Sequence, residues 1–311
     1  MISLIANIFT GFVNSLPTTL MEGFVWGILA MGVYISYRIL DVPDMTVDGS
    51  LALGGIVSAM LTVKGWNVFL TIPIAVIAGA LAGVVTALLH TKLKIPAILS
   101  GILTMFALYS INMRILGNRS SQSLVGLPSI KDTLAQLLNI PFIYTNLIFS
   151  FLIMAGLVAL LYWFFGTQLG SSIRATGCNP DMARAQGINT DNMKIAGLAL
   201  SNGIAALAGC LFTQLQGSAD VNMASGTIVI GLASVVIGEI IFNNKLSFWI
   251  KLSGAVAGAT IYRTIIVIAL LLGMPTSDLK LVTAVLVALA LSLPLIKKHT
   301  SPRKKGEQEN A

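Results

Sequence analysis

Long apolar runs separated by shorter polar segments make up most of the 311-residue chain. A helix needs about 20 consecutive apolar residues to cross the hydrocarbon core of a bilayer, and nine runs approach that length. We predict spans at residues 19–40, 47–63, 68–89, 96–115, 144–165, 194–216, 226–243, 247–271 and 276–296. The pattern therefore predicts an all-α, polytopic helical membrane protein with about nine spans, in the range of eight to ten.

The small number of charged residues supports this fold class. Charged residues make up 10% of the chain and hydrophobic residues 56%, with a mean hydropathy of +0.88, whereas a soluble domain carries about 25% charged residues. The chain contains no G-x-x-x-x-G-K-[ST] phosphate loop, no H-E-x-x-H motif and no cluster of Cys and His. We therefore expect no enzymatic activity, no metal and no cofactor in this chain.

The two ends of the chain are predicted to differ from the transmembrane domain, residues 19–296. Residues 1–18 contain no Lys or Arg and place apolar side chains at helical spacing, which favours a helix lying in the membrane interface. Residues 297–311 form a basic tail that carries part of the net charge of +7. Such a tail is typical of a segment beside anionic lipid, so we expect no nucleic-acid partner.

The distribution of Lys and Arg predicts which side of the membrane each loop faces. If the polar segment 170–193 and the tail are cytoplasmic, thirteen basic residues lie on that side and five on the other, as the positive-inside rule requires. The C-terminus is then cytoplasmic and the N-terminus outside, unless residues 47–63 form a half-helix that turns back. The external loop Leu116–Phe142 is predicted to carry a short surface helix at Lys131–Leu138.

The segment Gly170–Met193 is a long polar interruption with signals for a helix of its own. Asn179 precedes Pro180, which is typical of a helix start, and Gly187 fits the position just past a helix end. These signals predict a short exposed helix at residues 180–186. A connector of this length is usually functional, and a short stiff helix is suited to transmitting a push from a partner.

The same residues carry a family resemblance. The pattern GSSIRATGCNPDMARAQGINTDNMK resembles the cytoplasmic segment of permease subunits of ATP-binding-cassette (ABC) importers. It is most similar to the branched-chain amino acid type and to its sugar and aromatic amino acid relatives. The resemblance implies a type II-like importer permease whose short helix is the coupling helix to the ATPase. The coupling residues it implies are Arg174, Ala175, Gly177, Asn179, Pro180, Ala183, Arg184, Gly187 and Ile188.

The resemblance also implies partners and a location. Cytoplasmic ABC ATPase subunits would supply the energy, and an extracytoplasmic solute-binding protein would deliver the solute. A second permease chain, most simply an identical one, would complete the pathway. The complex would lie in a bacterial-type cell membrane.

The stretch Asp41–Gly55 is the candidate translocation segment. It places three carboxylates and a proline between the first two spans. One interpretation is non-helical backbone at membrane depth, where Asp48 caps the following half-helix and exposed N–H groups bind an anionic group such as a substrate carboxylate. The other is an ordinary loop with helix-capping aspartates. The resemblance favours the first and implies the pathway residues Asp44, Thr46, Asp48, Gly49 and Ser50.

Buried polar and charged groups complete the candidates. Glu239 and Arg263 fall within predicted spans, and Glu22 is a candidate partner for Arg263. Amides inside spans commonly hydrogen-bond across helices. We expect this of Asn112, Asn202 and Gln214.

Two functional classes remain open. The first is an ABC importer permease for an amino acid, apolar or aromatic, since DVPDMTVDGS is more similar to the aromatic amino acid group. Within this class, a sugar or nucleoside is the alternative solute. The second class is an ion-coupled secondary transporter, for which Glu239 and the pair Asp44 and Asp48 are the candidate ion ligands.

Overall fold

The computed structural model describes residues 2–127, 142–242, 247–275 and 278–300. Within these ranges the chain is almost entirely helical, with two short strands. The first elements are α1 (Ile2–Tyr34), α2 (Thr46–Val63), α3 (Val68–Thr91), α4 (Ala97–Ile115), β1 (Ser121–Ser123), α5 (Phe142–Gly166) and α6 (Gln168–Cys178). The remaining elements are α7 (Pro180–Ala185), α8 (Thr190–Gln216), β2 (Ser218–Asp220), α9 (Thr227–Ile241), α10 (Phe248–Leu271) and α11 (Leu279–Thr300).

The polytopic helical fold class is confirmed. In the described part of the chain, seven helices are long and apolar enough to cross a membrane. They lie in α1, α2, α3, α4, α5, α8 and α10. The other two predicted spans correspond to the shorter apolar helices Thr227–Ile241 and Leu279–Leu289, so a total of nine stays a prediction.

The N-terminal helix is longer than the sequence pattern indicated. No helix end separates residues 1–18 from the first span, because α1 runs without a break from Ile2 to Tyr34 with Pro17 inside it. A π-helical turn at Ile35–Ile39 follows directly. An interfacial position for the first residues stays a prediction.

Helix α8 lies at the centre of the bundle, packed against α1, α2 and α3. Glycines make this close packing possible. A Cβ atom on Gly54 would meet the carbonyl of Ala206, and one on Gly209 would meet the carbonyl of Leu51. Backbones of α2 and α8 therefore touch directly, as in other small-residue contacts between membrane helices.

Helices α4 and α5 lie at the outside of the chain. Only 28% of the apolar window in α4 and 17% of that in α5 are buried, compared with 67% in α8. Exposed apolar side chains on α4 include Phe106, which is 66% exposed. These faces are available to lipid or to another chain.

A two-stranded antiparallel sheet joins two connections at one end of the bundle. Ser121 pairs with Asp220 and Ser123 with Ser218, which ties the chain leaving α4 to the chain leaving α8. The predicted surface helix at Lys131–Leu138 and tail residues 301–311 lie outside the described residues.

Candidate functional site

The predicted short helix in the polar segment is confirmed as α7, Pro180–Ala185. Asn179 caps it, because its Oδ1 accepts a hydrogen bond from the Met182 N–H at 3.0 Å. Gly187 adopts a left-handed φ of 81° just beyond the helix, as expected for a helix-ending glycine.

A second helix, α6, precedes α7 and was not predicted from the sequence. Thr167 caps its start by accepting a hydrogen bond from the Gly170 N–H at 3.4 Å. The polar composition of residues 170–178 hid this helix, since Gly and Ser are weak helix formers.

Most of the predicted coupling residues lie at the surface. Ala183 is buried and packs α7 onto the chain, so α7 exposes its other side, including Met182 at 61%. Gly177, Pro180 and Ile188 are half-buried, and Arg174, Ala175, Asn179, Arg184 and Gly187 are exposed.

Both arginines of this segment contact their own chain. Arg184 donates from Nε to the Thr190 hydroxyl at 2.9 Å and forms an ion pair with Asp181 at 3.2 Å. The contact with Thr190 holds α7 to the start of α8, while the ion pair lies within α7. The Arg174 guanidinium lies over the ring of Phe248, 5.5 Å from the centroid, and so holds α6 to α10.

The coupling segment touches the candidate translocation stretch. A Cβ atom on Gly177 of α6 would meet the carbonyl of Ile39. Leu40, the next residue, packs against Gly197 of α8. Asp44 follows four residues after Leu40. A movement of α6 can therefore pass through its contact with Ile39 and a few residues of backbone into the bundle.

Asp44 is the centre of a buried polar network. Its Oδ2 accepts from the Asn202 Nδ2 at 2.6 Å, and its Oδ1 accepts from the Thr46 N–H at 2.8 Å. The Ser50 hydroxyl donates to the Asn202 Oδ1 at 2.7 Å. All four residues are at most 3% exposed, so they are satisfied by each other instead of by water.

This network also fixes the depth of the non-helical stretch before α2. Asn202 lies at the middle of α8, which extends from Thr190 to Gln216. The backbone around Asp44 therefore reaches the midpoint of a membrane-length helix. Non-helical backbone at such depth is tolerated when it is buried in protein or lines a cavity, which agrees with the first interpretation of this stretch.

Three of the five predicted pathway residues are packed between helices. Asp44 and Ser50 belong to the network, and Thr46 shares a 2.7 Å hydroxyl hydrogen bond with Thr86 of α3. The expected cross-helix bonding of amides is confirmed for Asn202 and for Gln214, which donates to Ser58 at 2.9 Å.

The predicted role of Asp48 as the cap of its own helix is wrong. Its Oδ1 accepts from the Ile228 N–H and the Thr227 hydroxyl, both at 2.8 Å, and its Oδ2 accepts from the Gly226 N–H at 3.1 Å. Asp48 therefore caps α9. It is the third residue of α2, and its carboxylate binds the open N–H groups at the start of another helix.

Asp48 and Gly49 line a cavity of about 460 Å³ between α2, α4 and the connection before α9. Gly49 permits the close approach of α4, because a Cβ there would crowd the side chain of Leu108 at 2.8 Å. The residues of the cavity wall are Asp48, Gly49, Ala52, Met105, Phe106, Tyr109, Asn112, Val221, Asn222, Ala224 and Ser225.

One polar atom in the cavity wall is not satisfied. Asn112 is 1% exposed, and its Oδ1 has no hydrogen-bond partner among the described residues. Its Nδ2 reaches the Gly49 carbonyl at 3.5 Å, the limit of a hydrogen bond. The expected cross-helix bond of Asn112 is thus present in its weakest form. Sequence reasoning did not assign the α4 wall, although Phe106, Tyr109 and Asn112 follow one another at helical spacing.

The predicted charges inside spans occur as ion pairs. Arg263 pairs with Glu22, as expected, with the side chains 25% and 13% exposed. Glu239 pairs with Arg38 through two 2.6 Å contacts, one from Nε and one from Nη2. Arg38 was not identified as its partner, because the two residues are 201 positions apart in sequence.

Comparison with known proteins identifies the family. The sequence model described as "Branched-chain amino acid transport system / permease component" matches residues 15–291. The chain belongs to this permease family. The resemblance seen in the polar segment is thereby confirmed. Proteins of this family are membrane subunits of ABC transporters, which is consistent with the prediction that this chain is not an enzyme.

Relatives of this permease differ in the solutes in their names. The tyrosine transport system permease protein of Clostridioides difficile is 39% identical over 88% of this chain and 89% of that protein. An autoinducer 2 import system permease protein of Yersinia enterocolitica is 28% identical over 75% of this chain and 62% of that protein.

A solved structure shares the fold. PsaBC from Streptococcus pneumoniae in complex with Fab aligns with 92% of this permease and 96% of that chain. The TM-score is 0.51 and the sequence identity 14%. At this identity the likeness concerns the fold alone.

Proposed function

We propose that this permease forms the pathway of an ABC importer for an amino acid, apolar or aromatic, in a bacterial-type cell membrane. The cavity beside Asp48 carries the proposal. It has the volume of a small-molecule site, and its wall residue Asp48 follows four residues after Asp44, the centre of the buried network. The relative named as a tyrosine permease, 39% identical over most of both chains, supports an aromatic amino acid.

In this proposal, the conformational change of the ATPase subunits is transmitted to the permease through α6 and α7. ATPase subunits on the cytoplasmic side bind the exposed face of α7, and the C-terminus lies on the same side. Movement passes from Gly177 to Ile39 and Leu40, and from there to Asp44, the contacts being those described above. ATP binding then favours one conformation of the pathway over another.

Two further partners follow from the family. An extracytoplasmic solute-binding protein delivers the solute to the opposite face, and a second copy of the permease covers the exposed apolar face of α4. A homodimer is the simplest arrangement because it lets one surface pair with itself.

Uptake measurements test the function. The permease is reconstituted in proteoliposomes with a cognate ABC ATPase and solute-binding protein, and entry of radiolabelled L-tyrosine is followed. We expect uptake that requires ATP and persists when ionophores collapse all ion gradients. Uptake that stops with the ionophores while ATP remains would instead establish an ion-coupled transporter.

The structure gives the ion-coupled alternative little support. Glu239 is paired with Arg38, Asp48 caps α9, and Asp44 accepts a hydrogen bond from Asn202. Each of the three candidate ion ligands therefore already has a protein partner. A panel with leucine, ribose and a nucleoside in place of tyrosine decides the solute class. Preferential uptake of ribose or the nucleoside would overturn the amino acid assignment.

A further inference from the structure

We propose that the cavity between α2, α4 and the start of α9 binds the amino group of the transported amino acid. Asn112 Oδ1 and the Asp48 carboxylate are the acceptors, and Phe106 and Tyr109 form the apolar wall. This assignment rests on the proposed function and deepens it, because it gives one end of the solute a place in the pathway.

The Oδ1 of Asn112 is a buried acceptor without a hydrogen-bond partner among the described residues. Buried polar atoms in folded proteins nearly always have a hydrogen-bond partner, so an exception calls for an explanation. Asn112 lines the cavity, and its Oδ1 is such an exception in the described part of the chain. An amide oxygen can only accept hydrogen bonds, so its partner must be a donor. An ammonium group has three N–H donors.

The charge of the cavity also favours a cationic group. Asp48 contributes a carboxylate, and no Lys or Arg is among the cavity-lining residues. The carboxylate accepts three hydrogen bonds from Gly226, Thr227 and Ile228, whereas an ionised carboxylate has about four acceptor positions. One position therefore remains for a cationic donor.

The start of α9 is closed to anions. A free helix N-terminus attracts a carboxylate, and the sequence predicted such a site at the start of α2. Here the N–H groups of Gly226 and Ile228 already bind Asp48. The site therefore selects the amino end of an amino acid over its carboxylate end.

The aromatic wall completes the recognition. Phe106 and Tyr109 are 66% and 49% exposed, and both line the cavity together with Asn112. Aromatic faces attract ammonium groups and pack against apolar side chains. A cavity of about 460 Å³ accommodates a ligand of this size.

Binding of partial solutes tests the assignment. Full-length permease in lipid nanodiscs is titrated with tyramine, which lacks the carboxylate, and with 3-(4-hydroxyphenyl)propionate, which lacks the amine. Saturation-transfer NMR reports binding of each. We expect saturable binding of tyramine and not of the propionate. The variant Asn112→Leu should weaken tyramine binding about tenfold, as loss of a charge-assisted hydrogen bond does.

Two tryptophan variants keep the assignment testable if Asn112→Leu does not fold. Ser225→Trp places a bulky ring in the cavity mouth, while Ser171→Trp makes the same change at an exposed position of α6 that does not line the cavity. We expect the first to abolish tyramine binding and the second to preserve it, with both proteins monodisperse.

Two results would overturn the assignment. One is binding of the propionate as tight as that of tyramine. The other is unchanged tyramine binding in folded Asn112→Leu or in Ser225→Trp. Either result in a permease that imports tyrosine refutes the amino-group site alone, whereas absence of ATP-driven tyrosine uptake refutes the proposed function.

Discussion

The carboxylate of Asp48 in α2 accepts the backbone N–H of Ile228 at the start of α9, at 2.8 Å. Two more hydrogen bonds, from Gly226 and Thr227, join the same carboxylate to the same helix start. One side chain thus satisfies donors of a helix that lies about 180 residues further along the chain. Because Asp48 also lines the cavity, the same carboxylate belongs both to the helix cap and to the candidate solute site.

Removing the charge of Asp48 should weaken the contact between α2 and α9. For Asp48→Asn we expect a loss of about 1 kcal/mol of stability, because the variant lacks the negative charge at the start of α9 and turns an NH2 group towards backbone donors. The loss should appear as a lower thermal unfolding midpoint in nanodiscs. Asp41→Asn is the matched control, since Asp41 is exposed and has a φ of 55° that Asn tolerates. An equal midpoint for the two variants would contradict the cap.

The side chains of the ion pair between Arg263 and Glu22 are mostly buried, so removing one partner is expected to be destabilising. Arg263→Ala leaves the Glu22 charge without its partner, which costs about 3 kcal/mol for buried pairs. The double variant Glu22→Gln with Arg263→Gln removes both charges and should recover most of that loss. Thermal unfolding and the yield of assembled permease measure the effect. A double variant less stable than Arg263→Ala would show that the pair does not act as a unit.

The two arginines of the coupling segment should be required for the ATPase complex. Arg174→Ala with Arg184→Ala removes the contacts to Phe248 and Thr190, which releases α6 and α7 from the bundle. We expect reduced ATPase copurification and at least tenfold slower uptake. Lys92→Ala, which removes an exposed cation outside this segment, serves as the control. Full copurification and full uptake in the double variant would refute the coupling role.

The close contact between α2 and α8 should not tolerate a side chain at Gly54. Gly54→Val directs its Cβ into the Ala206 carbonyl, so the helices must separate at a cost of about 1–3 kcal/mol or more. Gly156→Val on α5, where a Cβ meets nothing within 4 Å, is the matched control. We expect loss of monodisperse protein for the first variant alone. Comparable yield of both would mean that the contact is not tight.

Local signals in the sequence predicted local structure well. Asn179 and Pro180 marked the start of α7 and Gly187 its end, because capping depends on residues within one turn of each other. Apolar run length located the membrane helices for a similar reason. The pairing of Arg263 with Glu22 was found because both charges were placed at the same depth by span counting.

Contacts between distant segments could not be found in this way. Asp48 is in the first turn of α2, where a local cap was a reasonable interpretation, and nothing near it in sequence points to Ile228. The same holds for Glu239 and Arg38. The α4 wall was missed since nothing in the sequence separates Asn112 from the other transmembrane amides. That it lines the cavity, and that its Oδ1 lacks a partner among the described residues, are properties of the packed structure.

The small β1–β2 sheet has a mechanical consequence. Strand β1 continues the chain that leaves α4, and β2 leads directly into the cavity-lining residues 221–225. A hydrogen bond from the Leu124 N–H to the Gly217 carbonyl at 2.8 Å extends this connection. Two walls of the cavity are therefore joined by backbone hydrogen bonds. Widening the cavity would require either these bonds or the hydrogen bonds from the start of α9 to the Asp48 carboxylate to break.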